Sequence, residues 1–176
     1  MLISNMTSRY WNTIHNFDFD WESVVNTFWK KYPNPNSSHV FSEDIISNTI
    51  DKNGCLHTKR VIVKTNSLPS WGEHLFTTRN VWLIEESIVD PKRKIMTVYT
   101  RNLNLRVFMG TTERMTLTPI DNDSTKADKE VWIESEIYGL RSAIKSFGVD
   151  RFKKNCVKAT QGYEWALKNN CKSQKS

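Results

Sequence analysis

The sequence is poor in cysteine and in long apolar runs, and both shortages exclude classes of protein. Cys55, Cys156 and Cys171 are odd in number and far apart, so we expect neither a disulfide framework nor a cysteine metal cluster. No stretch approaches the roughly 18 apolar residues of a transmembrane helix. Residues 1–8 have neither a cationic start nor an apolar segment, so we expect a flexible N-terminus without a cleavable targeting signal.

The common catalytic motifs are also missing. The sequence has no glycine-rich phosphate loop, no nucleophile elbow and no His-Glu-x-x-His helix. Its four histidines are scattered without metal-ligand spacing. Adjacent carboxylates such as Glu85 and Glu86 would point to opposite faces of a strand, which is wrong for a paired acid and base. We therefore expect a protein that is not an enzyme and that has no cofactor or metal.

What is present is an aromatic-rich chain with the size of a single domain. Its 176 residues include seven Trp and eight Phe, enough to bury a sizeable core, so disorder is not expected. We assign residues 9–168 to one folded domain and residues 169–176 to a basic flexible tail.

The N-terminal part of this domain predicts a strand followed by a helix. Arg9–Phe17 is aromatic-rich and predicts the strand. Asp18 or Asp20 is a suitable cap for the helix. We expect this helix to end at Tyr32, because the proline that follows disfavours helical geometry at that residue. Lys30 and Lys31 would then lie in its last turn.

The middle of the sequence is a series of strand-like runs separated by turn signals. Connections this short predict antiparallel neighbours, without room for crossover helices. A strongly twisted sheet of this size curls, and a long helix across its concave side encloses an interior that is either packed or hollow. The predicted strands cover residues 39–50, 56–65, 81–89, 95–103, 107–118 and 131–137, with a polar loop at 120–129.

Residues 139–168 predict a long C-terminal helix with two distinct edges. At about 100° per residue, one face is apolar and suited to burial. The residues of this face are Phe152, Cys156, Ala159, Tyr163 and Leu167. A flank about a quarter-turn away carries Arg151, Asn155 and Lys158, which are suitable donors for phosphate. The alternative is a solvated basic edge.

The positive charge of the chain is concentrated in this helix and tail. From residue 139 onward there are nine Lys and Arg against two acidic residues, a net charge of +7, while the whole chain carries +6. A nucleic-acid-binding module is therefore a weaker alternative, because the charge is local and no RNA-binding or zinc-finger signature is present.

Six short motifs follow one another along the chain. They are Lys31-Tyr32-Pro33-Asn34-Pro35, His39-Val40, Leu68-Pro69-Ser70-Trp71, Ser87-Ile88-Val89-Asp90-Pro91, Tyr99-Thr100-Arg101-Asn102-Leu103, and Phe152-Lys153 with Asn155 and Lys158. Together they make the chain resemble the PRELI family of mitochondrial lipid-transfer proteins. The resemblance implies an α+β fold in which a curved seven-stranded antiparallel sheet is gripped by a long C-terminal helix and a short helix after strand 1, around a lipid cavity.

The resemblance also implies a function and a site. It is greatest to the branch that carries phosphatidic acid across the intermembrane space toward cardiolipin synthesis, with phosphatidylserine transfer by the sister branch as the alternative. Members act with a small helical partner that has a twin-cysteine motif, and we expect transient contact with anionic membranes. The implied head-group residues are Lys31, His39, Lys64, Arg151, Asn155 and Lys158.

A polar, Pro/Gly-marked break between two predicted strands is implied to be the lid of the cavity. It spans residues 65–76 and carries the apolar or rigid residues Leu68, Pro69, Trp71, Leu75 and Phe76. Long connections in compact domains are often functional loops. The alternative is a short amphipathic helix folded onto the core.

A first prediction concerns the lid. Trp71→Ala should slow extraction of lipid from vesicles more than it weakens head-group recognition, because the indole is expected to dip into the membrane interface. Transfer rates between liposomes, compared with equilibrium binding of the lipid, measure the difference. An unchanged transfer rate would contradict the lid role.

Overall fold

One curved antiparallel sheet organises the computed structural model, which describes residues 8–65 and 80–172. The strand order is β1-β7-β6-β5-β4-β3-β2, so the first strand pairs with the last one and the second strand forms the opposite edge. The strands are β1 Arg9–Phe17, β2 Val40–Ile50, β3 Leu56–Thr65, β4 Asn80–Asp90, β5 Ile95–Asn102, β6 Gly110–Pro119 and β7 Thr125–Glu134.

The helices lie on one side of this sheet. They are α1 Trp21–Phe28, a 3-10 turn at Pro35–Ser37, a one-turn helix α2 at Arg106–Met109 and the long helix α3 at Arg141–Lys172. The predicted α+β fold is therefore confirmed, with seven antiparallel strands, a short helix after β1 and a long C-terminal helix. In the described ranges, no helix is both long and apolar enough to cross a membrane.

The first helix is shorter than its sequence predicted. Asp20 caps it, since its Oδ1 accepts a hydrogen bond from the Ser23 backbone N–H at 2.8 Å. The predicted end at Tyr32 is wrong, because α1 ends at Phe28 and the two lysines follow it. The cause is local: the Asn34 side-chain amide donates to the Lys31 carbonyl at 2.6 Å, a side-chain bond that competes with helical bonding.

Two strand boundaries were also wrong. Residues 107–109 belong to α2 rather than to a strand, because the Asn102 side chain donates to the Met109 carbonyl and holds this turn. The loop predicted at residues 120–129 ends at Ser124, so β7 begins earlier than expected and stops at Glu134. Polar residues hid the alternation of β7, in which every second side chain from Thr125 onward is buried.

Two apolar clusters hold the helices on the concave face of the sheet. The first joins α1, the sheet and the end of α3, and includes Phe17, Phe28, Leu117 and Leu167. The second joins α2, β7 and the start of α3. The Tyr163 hydroxyl donates to a carbonyl of α1 at 2.6 Å, which fixes α3 to α1. A hollow region lies between these two clusters.

Gly162 gives a prediction about how α3 is seated. A Cβ at this position would lie 2.5 Å from the Asn34 Oδ1 atom. Such overpacking costs typically about 1–3 kcal/mol, more than the roughly 1 kcal/mol that alanine gains over glycine in a helix. Gly162→Ala should therefore lower the free energy of unfolding in urea by up to about 2 kcal/mol.

Gln161→Ala is the matched control for this change. Gln161 is the exposed neighbour on the same helix, so its substitution should stay within about 0.5 kcal/mol of wild type. If Gly162→Ala is as stable as this control, α3 does not depend on close approach to the loop that carries Lys31.

Candidate functional site

The interior between the sheet and α3 contains a cavity rather than a solid core. Its larger compartment has a volume of about 170 Å³, and an adjoining one has about 100 Å³. Side chains common to both walls show that the compartments are neighbours. These are Lys64, Leu83, Thr100, Glu113, Phe152 and Asn155.

The walls of the larger compartment combine apolar and charged side chains. The aromatic rings of Phe28, Phe152 and Tyr163 come from the helices, while Ile62, Val98 and Met115 come from the sheet. Charged side chains from the sheet and from α3 lie between these apolar residues. The compartment therefore offers an apolar surface and ionic groups to the same ligand.

Three cations and a histidine gather around one part of the cavity. We call this group the outer cation cluster; it consists of Lys64, Arg151, Lys158 and His39. Burial is the largest cause that lowers the pKa of His39, and the charges of the other three lower it further. Burial also lowers the pKa of Lys64, where Arg151 acts in the same direction and Glu113 opposes it. Asn155 lines both compartments beside this cluster. Mutual repulsion makes the cluster a favourable place for an anion.

A second group of charges, the inner cluster, lies deeper and consists of Lys31, Arg60, Lys129, Glu43 and Glu85. Arg60 Nε donates to Glu85 Oε1 at 2.5 Å, and its Nη1 donates to Glu43 Oε2 at 2.7 Å. Lys31 Nζ lies 3.7 Å from Glu85 Oε2 and 3.6 Å from the centre of the Phe28 ring. Burial lowers the pKa of Lys31 to about 8. Arg60 is thus compensated by two carboxylates, while Lys31 shares one of them.

The structure brings the six residues expected from the sequence to the cavity, in two groups. Lys31, His39, Lys64, Asn155 and Lys158 line the larger compartment, and Arg151 lines the smaller one. Lys31 also belongs to the inner cluster, and the head-group role of the six residues stays a prediction. The lid residues Leu68, Pro69, Trp71, Leu75 and Phe76 lie outside the described residues, and their role stays a prediction.

Sequence reasoning missed three charged residues of the cavity wall: Glu85, Glu113 and Lys129. The signal for Glu85 was present, because it alternates with apolar residues on the inner face of β4. As expected, its neighbour Glu86 lies on the other face, where it pairs with Lys59. Lys129 was hidden because its segment was read as a polar loop.

Solved structures share this architecture at low sequence identity. The Zhui aromatase/cyclase from Streptomyces sp. R1128 matches with a TM-score of 0.63 at 9% identity, over 94% of this chain and 96% of that one. A START superfamily protein from Mycobacterium smegmatis matches with a TM-score of 0.53 at 14% identity, over 92% and 99%. At these identities the likeness shows the fold alone.

Sequence relatives identify the family. The PRELI domain-containing protein 1 of Gallus gallus, named as mitochondrial, is 38% identical over 152 residues, which cover 84% of this chain and 71% of that protein. The mitochondrial protein UPS1 of Saccharomyces cerevisiae is 35% identical over 157 residues, covering 87% and 89%. These names place the chain in the mitochondrion. Because the PRELI-like family also matches residues 22–173, the chain belongs to the PRELI-like family.

Proposed function

We propose that this protein is a lipid carrier that moves phosphatidic acid between the mitochondrial membranes, across the intermembrane space, for cardiolipin synthesis. One observation carries the proposal: a hollow interior with apolar walls into which cations project from the sheet, from α3 and from the loop before β2. An anionic lipid matches both properties of this interior.

The energetics of lipid transfer require an enclosed apolar space. Two acyl chains of about 16 carbons, at about 0.8 kcal/mol per methylene, hold a phospholipid in its bilayer by more than about 20 kcal/mol. A carrier must offer a comparable apolar environment. The cavity is bounded by Phe28, Phe152 and Tyr163 and by the inner face of the sheet, which supports this role.

The charges of the outer cation cluster support an anionic head group. The phosphate of phosphatidic acid has a second pKa near about 6, by analogy with phosphorylated side chains, so it approaches a charge of −2 at neutral pH. His39, Lys64 and Lys158 face one compartment, and Arg151 faces the adjoining one. Lys64 and Arg151 are partly buried, so their charges attract an anion more strongly than they would in water.

The size of the cavity implies a change of shape during loading. Its compartments of about 170 and 100 Å³ lie below the roughly 300–1,000 Å³ of pockets for drug-sized ligands. This space suits a head group and its glycerol better than two complete acyl chains. We therefore infer that α3 and the sheet move apart when lipid enters.

Phosphatidylserine is the second candidate cargo, and Glu113 is the observation that favours it. Its carboxylate lines both compartments and offers an acceptor for the ammonium group of a serine head group. Phosphatidic acid has no ammonium for this carboxylate to bind. Competition between the two lipids in one transfer assay distinguishes these candidates.

The proposal includes two kinds of partner. A small helical protein with a twin-cysteine motif is expected from the family resemblance, as is transient contact with anionic membranes. Enzymes occur among proteins with this architecture, but our proposal gives the charged groups of the cavity a binding role. Nucleic acid is not proposed as a ligand, because the residues of the outer cation cluster line a cavity that also has apolar walls.

Lys158 provides the direct test of the carrier function. Lys158→Glu should reduce transfer of phosphatidic acid between liposomes by roughly 10- to 100-fold, since it removes a charge-assisted bond worth about 1.5–3 kcal/mol and adds repulsion. Lys154→Glu is the matched control, because it makes the same charge change at an exposed position of α3 that lies outside the two described compartments. Equal rates for the two variants would contradict the proposal.

Lys31 provides a test based on pH. Its pKa of about 8 in the lipid-free protein means that its positive charge is largely lost between pH 7 and pH 9. Affinity for phosphatidic acid should therefore fall several-fold over this interval. Lys31→Arg should bind with a smaller loss over the same interval, because arginine stays charged.

Binding to vesicles at fixed ionic strength, measured at both pH values, checks this prediction. Lys154→Arg serves as the control for a general effect of arginine and should show the pH dependence of wild type. If Lys31→Arg shows that dependence too, Lys31 does not contribute its charge to the bound lipid.

A further inference from the structure

Lys129 occupies a core position of β7 although it carries a charge. Ala127, Val131 and Ile133 on the same face of the strand are fully buried, and Lys129 is only 6% exposed. Its neighbour on the inner face of β6 is Met115. Removing an ammonium group from water is costly unless an anion or hydrogen-bond acceptors replace that water. A lysine in this place therefore requires a partner.

The described part of the chain does not supply that partner. Within residues 8–65 and 80–172, the Lys129 side chain makes no hydrogen bond and no ion pair. Glu85 is already bound to Arg60 at 2.5 Å and lies 3.7 Å from Lys31. Glu113 lies on the same face of β6, diagonally across from Lys129, without forming a salt bridge to it.

The Lys129 side chain faces the cavity. Lys129 lines the larger compartment together with Lys31, and its charge contributes to the lowered pKa of Lys31. These two ammonium groups repel each other, and Glu85, the carboxylate beside Lys31, is already paired with Arg60. The shortage of negative charge at this end of the cavity is the chemical signature of a site for an anionic ligand.

We propose that Lys129, with Lys31, forms an inner anion subsite that binds terminal phosphate oxygens of the lipid and selects phosphomonoester over phosphodiester head groups. This inference rests on the proposed carrier function and names the group that confers selectivity on it. The outer cation cluster approaches the phosphate from α3 and the loop before β2, and the inner subsite approaches it from the sheet.

The selectivity follows from the chemistry of the two head groups. A phosphomonoester has three terminal oxygens and up to two negative charges, so cations can bind it from two sides. A phosphodiester such as that of phosphatidylglycerol carries one negative charge, and its alcohol substituent occupies one of those sides. An ammonium group at the inner end therefore favours the monoester by charge and disfavours the diester by exclusion.

The test compares Lys129→Met with wild type and with Lys126→Met. Methionine has a similar length and no charge, and Lys126 lies on the same strand with its side chain on the other face. Transfer of phosphatidic acid and of phosphatidylglycerol is measured between vesicles. Lys129→Met should lower the ratio of the two rates about tenfold, as expected for one charge-assisted bond, while Lys126→Met should keep the wild-type ratio.

Unfolding of the lipid-free protein in urea provides a second readout that is independent of transfer. Lys129→Met should raise the midpoint relative to wild type and to Lys126→Met, because it removes a buried charge that has no partner among the residues that the structure describes. A lowered midpoint would show that Lys129 stabilises the fold, which overturns the inference.

The remaining outcomes separate this inference from the proposed function. An unchanged rate ratio in a Lys129→Met protein that still transfers phosphatidic acid would overturn the role of Lys129 and leave the carrier function intact. A wild-type protein that transfers neither lipid would overturn the carrier function and, with it, the inner subsite.

Discussion

Positive charge in a space of low dielectric is the constraint on which the rest of this structure depends. Lys31, Lys64, Lys129 and Lys158 line the same compartment, where Glu85 and Glu113 are the carboxylates of the described wall. Lys129 is 6% exposed and forms no salt bridge within the described residues. Because a buried cation without an anion is destabilising, this interior is a poor solution for stability alone. A bound anion would compensate the positive charge and remove this destabilisation.

The architecture keeps a hollow space for these charges, because the sheet and α3 are held apart in the middle of the concave face. Apolar contacts at both ends of the concave face attach α3 to the sheet, and the region between them stays hollow. The bonds from Arg60 to Glu43 and Glu85 join β2, β3 and β4 at the inner end. Among the cavity lysines, Lys31 contributes to these wall contacts through Glu85 and the Phe28 ring. Within the described residues Lys64, Lys129 and Lys158 form no salt bridge, which leaves them available to a ligand.

The sequence predicted the architecture well because alternation and turn signals are local properties. The bounds of β1 and β3 and the existence of all seven strands could be read directly. Errors arose where a single side chain competed with the backbone pattern, as Asn34 does after α1 and Asn102 does before α2. For the site, family resemblance indicated six positions around the cavity. It did not indicate Lys129. This lysine lies on the buried face of β7, a strand whose many polar residues concealed its alternation.

The pairing of β1 with β7 has a consequence for how the chain reaches its native state. Arg9 is registered with Ile133, so strands from opposite ends of the sequence are hydrogen-bonded neighbours. Contacts with such a high contact order form late and slowly, since the loop-closure entropy must be overcome first. A nascent or partly imported chain therefore has an unpaired, aromatic-rich first strand until the last strand is available. Protection of that strand edge is a requirement of the topology itself.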